Sequence, residues 1–289
     1  RENFFQWLPP GNHPGRLLGL VANETATVTS GDYRGQRPLA ANFFALNALA
    51  QYPQAASIQD LRSWSSTLAF QRLRSWGFTT IGAWSDPDLF TRSGRRPYTH
   101  MLQPAHPGLI NGSTTYLDYF KDQWLINLRA RLTEEIGLTI GDPYNLGFYI
   151  DNERDWTKSN VSARSLGLWV LKAPSEPFSA RYAKRAFRDQ LRGKYVTIAN
   201  LNSQWQVNYS SWDDVLTRQD VEPTAALSDE DMQAFERLYA ETYFSTCRQA
   251  MREIAPRHLY LGCRFTSGAR PVLLELAAKF ADVVTVNLY

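Results

Sequence analysis

At 289 residues the chain has room for one large domain or two small ones. Its 31 basic and 28 acidic residues leave a net charge of +3, scattered without a basic stripe or an acidic tail, so a nucleic-acid or anionic-membrane partner has no electrostatic support. The 9 Trp and 14 Tyr suit a packed core, and equally a cleft in which indole faces lie on sugar rings.

No apolar run approaches the ~20 residues of a membrane span, and no signal peptide is visible, although Arg1 in place of Met leaves the natural start open. Cys247 and Cys263 fit no CxxC or disulfide framework and read as buried free thiols. His13, His100, His106 and His258 show no HExxH or other metal-ligand spacing.

Residues 1 to 57 carry dispersed Pro, Gly and Asn and read as a loop-rich excursion with a short helix around Asn42 to Ala50. Ile58, Leu61, Leu68, Leu73 and Trp76 predict a helix over 58–76 that Gly77 stops. A strand, Thr79 to Trp84, follows and ends at Ser85-Asp86-Pro87. Pro97 to Met101 is a second short strand. Phe120, Trp124, Leu128 and Leu132 predict a helix over 116–136 closed by Gly137, and the strand Leu146 to Ile150 comes next.

Residues 157 to 227 form a second insertion with a basic amphipathic helix (Tyr182, Ala186, Phe187, Leu191), followed by Trp205 and Trp212. Ser228 and Asp231 start a long helix that Pro256 stops. Then come the strand Leu259 to Phe265, a helix over Leu273 to Phe280, and a strand over Val283 to Tyr289.

Strands alternating with helices predict a parallel α/β architecture. A closed (β/α)8 barrel needs eight strands and about five are present. An open doubly wound sheet could use five, but its Gly-rich first turn is missing. The chain also stops on a strand with no helix to cover it. The expectation is an incomplete (β/α)8 TIM barrel, residues 1 to 289 forming a partial catalytic domain that covers about strands 2 to 6. Both insertions follow strand ends and would wall a cleft on the catalytic face.

The segment Leu146 to Trp156 carries the most chemistry. An apolar run ends abruptly in Asp151-Asn152-Glu153, with Trp156 just beyond. It reads either as a strand followed by an Asp-Asn turn and helix cap, or as a buried strand delivering a carboxylic acid to a barrel mouth. Glycosidic cleavage needs one carboxylic acid to protonate the leaving oxygen and a second carboxylate to attack the anomeric carbon or activate water. Glu153 suits the first role, and Asn152 could donate to a sugar 2-hydroxyl. Asp151 reads as structural, orienting a neighbour or capping the loop. The other strand ends are polar or aromatic too: Trp84 to Asp86, Tyr98 to His100, Arg264, and Asn287 to Tyr289. Parallel strands place such ends on one face, making Trp84, Asp86, Tyr98, His100, Trp156, Arg264 and Asn287 candidate substrate contacts. Each has a structural alternative: Trp84 in a core, His100 in a satisfied loop, Arg264 at a helix cap. No GxSxG, Walker A or GxGxxG motif is present.

Arg1-Glu2-Asn3-Phe4-Phe5-Gln6-Trp7-Leu8-Pro9, the run Arg72 to Asp86 with its Trp76-Gly77-Phe78, Pro97-Tyr98, and Asp151-Asn152-Glu153 resemble, in order, motifs of glycoside hydrolase family 50, the β-agarases. Residues 194 to 212 resemble a segment shared with the β-galactosidases of family 42. The resemblance implies the retaining clan of (β/α)8 glycosidases. It implies that Glu153 is the acid/base at the end of the fourth barrel strand and Asn152 its catalytic neighbour. Tyr289 is implied to stand beside the nucleophile at the end of the sixth, and the nucleophile to be a glutamate beyond Tyr289. The pKa of Glu153 is expected to be raised by burial and by that carboxylate. The resemblance further implies a secreted or periplasmic enzyme that needs no metal or organic cofactor and acts on a polysaccharide or oligosaccharide, agarose or a related galactan first, with these 289 residues inactive alone. Ala83 and Thr79 stand where the family often has Asn. The alternatives are a β-galactosidase-like glycosidase and a non-catalytic carbohydrate-binding barrel. Oligomeric state is not readable.

Overall fold

The computed structural model describes residues 12–23, 27–32, 34–37, 39–174 and 182–289. The Arg1 to Pro9 stretch lies outside them. The chain forms two compact units: residues 1–79 with 86–96, and residues 80–85 with 97–289.

In the first unit a short helix α1 (Pro14–Leu17) leads into an antiparallel pair, β1 (Val21–Asn23) and β2 (Leu39–Ala41). The helices α2 (Phe43–Gln51) and α3 (Ile58–Ser75) follow. Asn42 caps α2 through its side chain, and Ser57 with Asp60 forms a capping box on α3. Gly77, at φ 76°, supplies the left-handed turn that ends α3, as expected. Leu20, Val21, Leu46, Leu49 and Leu61 close a small core, against which Tyr52 and Trp64 stack at 5.6 Å.

The second unit holds the parallel sheet. Its strands are β3 (Tyr98–Leu102), β4 (Asn145–Ile150) and β5 (Leu259–Tyr260), in that spatial order. Parallel pairing continues outward at both edges, where Ile81 bridges to Tyr98 and Phe265 to Val286. Five parallel rows therefore run side by side in chain order, as the helix–strand alternation predicts. The outer rows are single bridges rather than full strands, because Gly82 to Ser85 turns at once and 283–289 pairs only around Val286. Rows β4 and β5 continue past their last ladder residues, with Ile150 N donating to Gly262 O and Glu153 N to Arg264 O, both at 3.0 Å. Gly147 permits this pairing: a Cβ there would lie 2.3 Å from Leu259 O.

The crossovers are helical. The helix α4 (Gln123–Thr133) joins β3 to β4. It is shorter than the expected 116–136, because Leu117 bridges to Leu109 and holds the Tyr239 hydroxyl at its own backbone. Between β4 and β5 come α5 (Ala163–Leu171), α6 (Tyr182–Tyr195), α7 (Ile198–Trp205), α8 (Asp214–Thr217) and the 30-residue α9 (Ala225–Ile254). The final helix is α10 (Pro271–Phe280). The α9 helix, about 45 Å long at 1.5 Å per residue, is the spine of the unit. Phe235, Tyr239, Tyr243, Cys247 and Met251 recur every four residues along its buried face, and α4, α5 and α10 all pack on it. The insertion is tied to this spine through buried Asp231, which receives Lys194 Nζ, the Tyr195 hydroxyl and Trp205 Nε1 at 2.8 Å each. Trp205 is thus a core residue rather than a sugar platform. Cys247 and Cys263 are buried and free.

Candidate active site

Past the C-terminal end of β4 the backbone takes two left-handed residues, Asp151 at φ 65° and Glu153 at φ 49°. Neither is glycine, so each position carries conformational strain. The turn sends the side chains of residues 151 and 153 in opposite directions. Asp151 points into the core and is 2 % exposed, whereas Glu153 projects to the mouth of the sheet.

Glu153 meets residues from the two rows that follow. Its Oε1 accepts from Asn287 Nδ2 at 2.5 Å and from the Tyr289 hydroxyl. Asn287 also lies 3.4 Å from Asn152 Oδ1 through the same nitrogen, while its Oδ1 accepts from Arg264 Nη2 at 2.7 Å. Arg264 is itself left-handed, at φ 46°. Its guanidinium lies over the Tyr149 ring at 5.4 Å and over the Trp84 ring at 5.7 Å. Trp84, 60 % exposed, offers the indole surface that a sugar ring would need. Of the residues singled out from sequence, the structure brings together Trp84, Asn152, Glu153, Arg264, Asn287 and Tyr289.

The hydrogen bonds from Tyr289 and Asn287 hold the Glu153 carboxyl below the usual glutamate value, with Lys158 and Arg264 adding attraction. This reverses the expected upward shift. Glu153 is not buried enough for desolvation to dominate, and donors rather than a second carboxylate face it.

Four other candidates are placed elsewhere. Tyr98 is wholly buried at the N-terminal start of β3, where its hydroxyl donates to Asp142 Oδ2 at 2.9 Å. His100 is an interior residue of that strand, 3.4 Å from buried Glu135 and edge-on to Phe148. The strand runs on to Leu102, so its polar end comes after the one inferred from sequence. Asp86 belongs to the first unit, where its Oδ1 caps the 3-10 turn Pro87–Phe90. Trp156 is 2 % exposed and boxed by Tyr119, Tyr239, Tyr243 and Phe244, leaving no indole face for a sugar.

Beneath the mouth lies a polar cluster, buried at Asp151 and Tyr243 and half-buried at His106 and Arg154, that the sequence did not signal as a unit. Asp151 Oδ2 is 3.0 Å from the Tyr243 hydroxyl, and its Oδ1 is 3.5 Å from His106 Nε2. Burial pushes the Asp151 carboxyl up to about 6, against the pull of Arg154. Burial and the Arg154 charge bring His106 down to about 4, so at neutral pH the imidazole is uncharged. Arg154 Nη1, 3.1 Å from His106 Nε2, donates to it. With the ring neutral and Nε2 taken up as an acceptor, the His106–Asp151 approach is not an ion pair. Trp124 stacks on the His106 ring at 5.8 Å. The one sequence hint was a histidine shortly after the true end of β3. Among the described residues, no group of three or more His, Cys, Asp or Glu could hold a metal ion.

Three comparisons bear on this arrangement. The family model described as β-galactosidase, glycoside hydrolase family 42, matches residues 172–268. β-Agarase B of Vibrio sp. (strain JT0107) is 28 % identical over 305 residues, covering 100 % of this chain and 30 % of that protein. The solved structure of an exo-β-agarase is 27 % identical with a TM-score of 0.80, covering 98 % of this chain and 38 % of the other. PfGH50B superposes with a TM-score of 0.83 at 23 % identity over 100 % of this chain and 41 % of the other, a likeness of fold. The chain spans less than a third of the length of the curated relatives it matches.

Proposed function

We propose that this chain, which is a homologue of the family 50 β-agarases, carries the acid/base half of a retaining β-glycosidase site within an incomplete (β/α)8 barrel. The observation that carries the reading is the convergence of Asn152 and Glu153 with Arg264, Asn287, Tyr289 and Trp84 at the C-terminal ends of adjacent parallel rows. In this reading Glu153 protonates the glycosidic oxygen as the bond breaks, then deprotonates the water that releases the sugar. Asn152 holds the 2-hydroxyl, and Trp84 supports a sugar ring.

The nucleophile is a glutamate beyond Tyr289. Placed at roughly 5 Å, its negative charge raises the Glu153 carboxyl toward the range an acid needs, and it competes for the Tyr289 hydroxyl. The substrate is a galactan-type polysaccharide or oligosaccharide, agarose first, and the enzyme works outside the cytoplasm. The 172–268 match favours a β-galactosidase as the second reading, and product analysis on agarose against small galactosides separates the two.

The test is Glu153→Gln in the full-length protein. Turnover of polysaccharide should fall by about 10³-fold or more, while an aryl glycoside with an activated leaving group still forms the glycosyl-enzyme. Unchanged polysaccharide turnover would remove Glu153 from the mechanism.

A further inference from the structure

Arg264 reaches Glu153 by two routes. Its carbonyl accepts the Glu153 N–H at 3.0 Å, and its Nη2 donates to Asn287 Oδ1 at 2.7 Å, while Asn287 Nδ2 donates to Glu153 Oε1 at 2.5 Å. An asparagine amide has an acceptor end and a donor end. Once a guanidinium, which can only donate, claims the oxygen, the NH2 end must face Glu153. An Asn287 without that partner could turn its oxygen toward a protonated Glu153 and accept from it.

Arg264 is poorly placed to touch a sugar itself. Its Nη1 is sealed from solvent, and its planar group lies over Tyr149 and Trp84. It is long and planar enough to do both jobs at once, bonding at its edge to Asn287 and packing its face on the rings. Its own backbone is held left-handed at φ 46°, a conformation glycine would adopt without strain, so the side chain has a reason to be there.

We infer that Arg264 is a positioning residue: it sets the amide polarity of Asn287 toward Glu153 and ties the Trp84 sugar platform to the acid/base. The inference rests on the acid/base reading of Glu153. The charged and titratable groups that face the Glu153 carboxyl are Tyr289, Lys158 and Arg264. Arg264 in turn faces Asn287, Trp84 and Tyr149.

The experiment is a double-mutant cycle on the full-length protein, with Arg264→Met, Asn287→Ala and the pair, read as pH profiles of kcat/KM. The high-pH limb reports the acid in the free enzyme. Arg264→Met should move that limb to higher pH and lower kcat/KM by about tenfold, and Arg264→Lys should restore part of both. With Asn287 already Ala, Arg264→Met should move the limb by clearly less than it does alone, because only the direct attraction between the Arg264 charge and the carboxylate is then left to lose. Full additivity, or a limb that stays still while kcat falls, would overturn the inference. If the Met variant does not fold, the Lys variant carries the cycle with the same two outcomes. Glu153→Gln distinguishes the failures. If that variant keeps its activity, the acid/base reading is at fault. If it is inactive and the cycle is additive, only the role of Arg264 falls.

Discussion

Asp151 and Glu153 stand two residues apart on one strained turn, and their carboxyl groups are driven in opposite directions. Asp151 loses water and gains one phenolic hydroxyl, so burial wins and its proton is held more tightly. Glu153 keeps part of its water and gains two donors, so hydrogen bonding wins and its proton is held less tightly. The side chain's class does not decide its chemistry; what replaces the lost water does. The same contrast separates the two tryptophans, Trp156 sunk in the tyrosine layer and Trp84 lying open at the mouth.

The tryptophans offer the largest way to break this comparison. Trp156→Ala should cost about 3–5 kcal/mol of stability in urea unfolding, the usual range for emptying a buried aromatic site. Trp84→Ala should cost less than about 0.5 kcal/mol. If Trp84 is the sugar platform proposed above, the same change should weaken polysaccharide binding up to about tenfold, as expected for the loss of one stacking surface. Equal stability losses would place the two residues in the same environment and erase the distinction between core and mouth.

These two tryptophans also show which parts were legible in the sequence. The grouping of Trp84, Glu153, Arg264 and Asn287 was legible because each lies at or near the end of an apolar or β-branched run and parallel rows put such ends on one face, whereas Tyr289 was pointed to chiefly by the family resemblance. Trp156 was misread because the 3-10 turn Asp155–Thr157 folds inward, and nothing local distinguishes an indole turned to tyrosines from one turned to solvent. Tyr98 and His100 were misread through register. The strand starts at Tyr98 with a bulge and ends at Leu102, so residues taken for its tip are its base and its middle. The Asp151–His106–Arg154 cluster draws on loops after two different strands, and only the parallel pairing of those strands brings them together.

The buried cluster makes a sharper prediction in pH. Between about 4 and 6.5 the unfolded chain protonates His106 while the folded protein does not, so this group alone makes stability rise with pH. Between 3.8 and about 6 the folded protein keeps the Asp151 proton that the unfolded chain has lost, so this group alone makes stability fall with pH. The two slopes oppose one another and nearly cancel across pH 4 to 6. Asp151→Asn should leave the His106 slope, so that stability relative to the parent climbs by up to about 3 kcal/mol through that range. His106→Gln should produce the opposite slope. Two variants with the same slope would show that the groups do not titrate as a compensating pair.

The smallest effect concerns the half-buried carboxyl of Glu153. Tyr289→Phe removes the first of the donors that depress Glu153, so its titration, followed by carbon NMR of a labelled glutamate, should move upward. A downward move, or none, would mean that Asn287 and the nearby cations already hold the carboxylate without the phenol.

The three left-handed residues at the mouth carry a consequence for laboratory evolution. Asp151, Glu153 and Arg264 each occupy a backbone conformation that glycine adopts freely and that costs other residues roughly 1 kcal/mol or more. A population selected only for heat resistance, with no demand for the proposed activity, should therefore accumulate glycine at the two positions outside the buried cluster, 153 and 264. It should spare position 151, whose side chain is needed in the buried cluster. Which of the three sites drifts would record, without any assay of activity, which left-handed turns are kept for the chemistry and which for the fold.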